Sequence, residues 1–68
     1  MKLETAIPIL NRLGLDQSTG ELVFHPRDDK QVAYSLDNKL HISLAGVFTA
    51  GELEALSTLM REMQRRTN

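Results

Sequence analysis

Apolar residues along this chain follow two periodicities, and each predicts a different kind of element. Near the N-terminus, Leu3, Ala6, Ile7, Leu10 and Leu13 recur at threes and fours, the signature of one helix face. Gly14 follows where a left-handed residue would end that helix, and Leu15 then stands where it can touch Leu10, as a Schellman ending requires. Pro8 interrupts the run. With Thr5 as N-cap it would lie in the first turn, where its missing N–H costs no internal bond. The expectation is a helix over 5–13, with residues 1–4 extended or frayed.

A second helical pattern closes the chain. Leu53, Leu56, Leu59, Met60 and Met63 form an apolar stripe, opposite Glu54, Ser57, Thr58, Arg61, Glu62 and Arg65. Thr49 and Glu52 have capping-box spacing, and Phe48 with Leu53 has that of a hydrophobic staple. A Glu62–Arg66 pair at i,i+4 suits the last turn. Gly51 in the first turn is the weak residue. The pattern predicts a helix over about 49–65 whose stripe packs on the rest of the domain.

Between the helices the period changes to two. Asp16 to Gly20 reads as a turn cluster and Pro26 to Lys30 as a polar loop. The segments 21–25, 31–36 and 39–45 alternate, with Leu22, Phe24, Val32, Tyr34, Leu36, Leu40, Ile42 and Leu44 all at even positions. Residues opposite each other across a ladder share a face, so even positions must meet even ones. A two-residue Asp37-Asn38 turn would pair Leu36 with Lys39 and break that rule. A three-residue loop, Leu36-Asp37-Asn38, satisfies it and leaves Asn38 in the bulge. The predicted architecture is a single α+β domain of order α-β-β-β-α, a three-stranded antiparallel meander with both helices packed on one face.

The opposite sheet face would show Val23, His25, Gln31, Ala33, Ser35, His41, Ser43 and Ala45, mostly small and uncharged. A solvated face usually carries more charge, so this one reads as open to close approach by another chain. Val23, Ala33, Ser35, His41 and Ser43 are the candidate partner-binding residues.

Size adds a reason to expect such a partner. A chain of 68 residues buries only ~60% of its unfolded surface, and without cysteine no disulfide can compensate. Association with a second copy is the remaining device. The net charge of −1 and pI near 6.0 supply no global attraction to nucleic acid or anionic lipid. No apolar run approaches the ~20 residues of a membrane span. Lys2, Glu4 and Pro8 interrupt any signal-peptide core. The cytoplasm is the expected compartment, and no membrane partner is expected.

Candidate chemistry is sparse. His25 and His41 would sit on the two outer strands, roughly 10 Å apart by strand spacing, too far for one metal ion. Asp28-Asp29 lacks calcium-loop spacing and reads as turn chemistry. Ser35 and Ser43 would lie near His41, without the orienting group and oxyanion donors a nucleophile needs. The expectation is no enzyme, no cofactor and no metal. Arg61, Arg65 and Arg66 make a basic helix end, the basis of an alternative nucleic-acid-binding reading.

The order helix, three strands, helix resembles the double-stranded-RNA-binding domain over nearly the whole chain as topology. That family carries a lysine cluster at the start of its second helix and a Gly-Pro-x-His signature in its first hairpin loop. The matching stretches here read Thr49-Ala50-Gly51-Glu52-Leu53-Glu54 and His25-Pro26-Arg27-Asp28-Asp29. Acids stand where the family uses bases, so the resemblance implies a fold class and not RNA binding. The functional expectation is a small non-catalytic module that binds another protein, itself, or both, as a homodimer. Accessory or inhibitory proteins of bacteria and their mobile elements are of this size and character.

Overall fold

In a computed structural model, the described residues are 1–16, 18, 23–27, 29–35 and 41–67, with the side chains of 34, 35, 66 and 67 left aside. They form α1 (Leu3–Arg12), β1 (Leu15–Asp16), β2 (Val23–Phe24), β3 (Gln31–Ser35), β4 (His41–Ala45) and α2 (Ala50–Thr67).

α1 begins two residues earlier than its proline suggested. Lys2, extended at φ −80° and ψ 152°, is the N-cap, and its side chain makes no capping bond. Its carbonyl accepts from the N–H groups of Thr5 and Ala6, both at 3.0 Å. Pro8 therefore lies inside the helix, where it offers no N–H to the Glu4 carbonyl. Both residues are exposed, so water can serve that carbonyl. The extension places Leu3, half-buried, on the same face as Ala6 and Leu10. The C-terminal end follows expectation. Leu13 is the C-cap, Gly14 is left-handed at φ +105°, and its N–H donates to the Asn11 carbonyl at 3.1 Å.

α2 starts on its capping box. The Thr49 N–H donates to Glu52 Oε1 at 2.7 Å, and the Glu52 N–H donates to Thr49 Oγ1 at 3.2 Å. The helix then runs to Thr67, two residues beyond the expected end.

The core belongs to the helix pair. Ala6, Leu10, Leu13, Leu15, Ala55, Leu56 and Leu59 are its buried residues. Two alanines at complete burial, one on each helix, are consistent with close approach of the two backbones. Met1 reaches Thr58, while Ile9 and Arg12 share a cleft with Thr49 and Glu52, so the helices run antiparallel. Ala55 escaped the stripe drawn from leucines and methionines, and Leu53, counted in it, is 46% exposed. The buried face of α2 is thus rotated toward Ala55. Phe24, Val32, Ile42, Phe48 and Met63 are half-buried and pack around the cluster.

The three-stranded meander is not what forms. β1 pairs with β2 in one antiparallel ladder, and β3 pairs with β4 in another. Leu15 opposite Phe24 puts two apolar side chains on the core side, which the turn reading of Asp16 to Gly20 did not foresee. Arg27 and Lys30 exchange backbone bonds at 3.0 and 2.8 Å. Continued outward, that register would set Phe24 opposite Ala33, a core position against a solvent one. Pro26, next in line, has no N–H to give. Parity and proline together stop the ladder, and β2 does not enter the sheet of β3 and β4.

Within the β3–β4 ladder the parity rule holds, since Val32 meets Leu44 and Tyr34 meets Ile42. The register is two residues away from that of a Leu36-Asp37-Asn38 loop, which would set Tyr34 opposite Leu40. Residues 36–40 themselves lie outside the described ones, as does the proposed bulge at Asn38. Among the described even positions, Phe24, Val32 and Ile42 face the core, while Leu44 at the sheet's end is 41% exposed.

Candidate functional site

The surface singled out from the sequence resolves into a strand hairpin with one apolar and one small-residue face. Ala33 is the register partner of Ser43, and Ser35 that of His41. Gln31 and Ala45 complete the outward set. The side chains of Gln31, Ala33, His41, Ser43 and Ala45 are exposed, and none carries a fixed charge. Val23 stands elsewhere, half-buried opposite Asp16 in the β1–β2 ladder. Pro26 lines a shallow groove of ≈ 330 Å³ together with Ala33, Ser43, Leu44 and Ala45. Val47, just past β4, is 71% exposed.

β4 is fixed in place at its C-terminal end. Gly46 takes φ +115° and lies so close to the Asp29 carbonyl that any Cβ would overlap it. Only glycine meets both demands, so the Asp29–Lys30 backbone and the end of β4 are held against each other.

A second concavity, of ≈ 460 Å³, opens at the start of α2 between Ile9, Arg12, Lys30, Thr49, Gly51 and Glu52. Two of its charged groups, Lys30 and Glu52, are engaged with each other. Lys30 Nζ donates to Glu52 Oε2 at 2.7 Å, and the other carboxylate oxygen holds the Thr49 N–H. The Lys30 hydrogen bond first, and then the Thr49 backbone bond, lower the Glu52 pKa from its ordinary value. Such a carboxylate is a weaker proton acceptor, suited to tying β3 to the helix start.

His25 was expected to share a sheet face with His41. Instead its Nε2 lies 3.2 Å from Asp16 Oδ2, across the β1–β2 ladder. Asp16 Oδ1 also accepts from the Ser18 N–H at 2.9 Å, and that backbone bond leads the causes lowering its pKa. Sequence reading missed this pair because it took residue 16 for a turn. Among the described residues, no group of three or more His, Asp or Glu side chains is arranged to hold a metal ion.

At the basic end of α2, Arg65 forks onto Glu62 at 2.6 and 2.9 Å, an i,i+3 pair. The expected i,i+4 partner, Arg66, has its side chain outside the described set. Arg61 is exposed. None of the described helices is long and apolar enough to cross a membrane. No protein-family model, curated protein or solved structure matches this chain.

Proposed function

We propose that this chain is a non-catalytic protein–protein interaction module that works as a homodimer, with the β3–β4 hairpin as its contact element. The observation that carries the reading is the hairpin's outward side: five exposed residues, none with a fixed charge, beside Leu44 and Val47 at 41% and 71% exposure. A hairpin of two strands is marginal by itself in water, and a partner that extends or covers it adds the missing contacts. Small side chains at Ala33, Ser43 and Ala45 admit a second backbone closely, whereas lysines or glutamates would hold it off.

The basic end of α2 supports nucleic-acid binding less well, because Glu62 neutralises Arg65 and acids open the same helix. Light scattering of purified protein at micromolar to millimolar concentration tests the reading. It predicts twice the chain mass of 7.7 kDa, and a single-chain mass throughout that range overturns it.

A further inference from the structure

We propose that two copies of this chain join edge to edge through β4, antiparallel about a two-fold axis at Ser43, to form one four-stranded sheet. This rests on the homodimer reading above and names the residues that join the copies.

The edges differ in how well they are guarded. β1 and β2 are two residues each, too short to recruit another strand. β3 is five residues long and lacks lysine, acid, proline and glycine, but β2 packs against it and the Arg27–Lys30 bridge occupies the start of its outer edge. β4 is also five residues long and, among the described residues, pairs with β3 alone. Its sequence, His41-Ile42-Ser43-Leu44-Ala45, has no lysine, acid, proline or glycine. Those are the residues by which exposed edges ordinarily refuse a partner.

Symmetry then decides which faces meet. A two-fold axis perpendicular to a sheet keeps each side chain on its own face, so directly opposed residues of the two copies must have the same parity. Ile42 and Leu44 therefore face the partner's apolar positions, and the small-residue face continues across the joint. Centring the axis on Ser43 pairs all five residues: His41 with Ala45, Ile42 with Leu44, and Ser43 with itself. A shift to Ile42 or Leu44 leaves only three of the five paired. No fixed charge of β4 meets its like, and Leu44, 41% exposed in one chain, gains an apolar neighbour.

Ser43 is exposed, so its substitution tests the joint without disturbing the core. Ser43→Lys and Ser43→Glu each set like charges opposite one another, and each alone is expected to lose the dimer while keeping the wild-type circular dichroism. Mixing the two variants is expected to restore it. Ser43→Cys gives a second reading. Opposed residues in an antiparallel ladder have Cα atoms ~4.5–5.5 Å apart, within disulfide range, and the chain has no other cysteine. Mild oxidation is expected to produce a covalent dimer. A wild-type dimer whose Ser43→Lys variant stays dimeric, or whose Ser43→Cys variant does not cross-link, overturns the edge joint and leaves the homodimer reading standing. A wild-type monomer overturns both.

Discussion

Gly14 shows how much one position can demand. Its φ of +105° lies in the left-handed region, and a Cβ there would overlap the His25 carbonyl. The Gly14 carbonyl in turn accepts the His25 N–H at 2.9 Å. Gly14→Ala is therefore expected to lower stability by about 1–3 kcal/mol, measurable by urea unfolding. Thr49→Ala removes the hydroxyl that caps α2 and is expected to cost ~0.5–2 kcal/mol in the same assay. Both residues were legible from sequence, because helix ends are chosen by local geometry. Asp16 was not. Its role depends on a strand partner seven residues on, Val23, and on His25 nine on, which no local rule supplies.

The carboxylates add a pH dependence. Glu52 and Asp16 have folded pKa values below their ordinary 4.5 and 3.8. A depressed carboxyl pKa contributes stability that is present above the ordinary value and is lost as pH falls through the folded one. The thermal midpoint is thus expected to drop on acidification below about 4.5. Glu52→Gln should lower the midpoint at neutral pH and flatten that acid slope. An acid slope identical to wild type would mean that the Lys30–Glu52 contact does not stabilise the folded state.

For whole elements, periodicity located both helices, yet placed the buried face of α2 imperfectly. A stripe drawn from large residues overlooks alanine, and Ala55 is fully buried. Leu56→Ala is expected to cost ~2–5 kcal/mol as a core truncation. Leu53→Ala, at a position 46% exposed, should stay near ~0.5 kcal/mol. Equal losses at the two sites would contradict the packing described here. The strands were legible in parity but not in partnership. Alternation says which side chains share a face, while Pro26 and the odd register at Arg27–Lys30 decide which strands may join.

Taken whole, the molecule has a radius of gyration of 11.4 Å, close to the ~11 Å expected for a folded chain of this length. A dimer links folding to association, so the thermal midpoint is expected to rise with protein concentration. A midpoint independent of concentration would argue for a self-sufficient monomer.

Placing the core in a helix pair drawn from opposite ends of the chain has a kinetic consequence. Leu10 and Leu56 are 46 residues apart, so bringing them into one core closes a loop that takes in every strand. Little of the buried apolar surface can be gained until the last quarter of the chain has been synthesised. Nascent chains stalled before α2 should remain open to protease, and full-length chains should acquire resistance in one cooperative step.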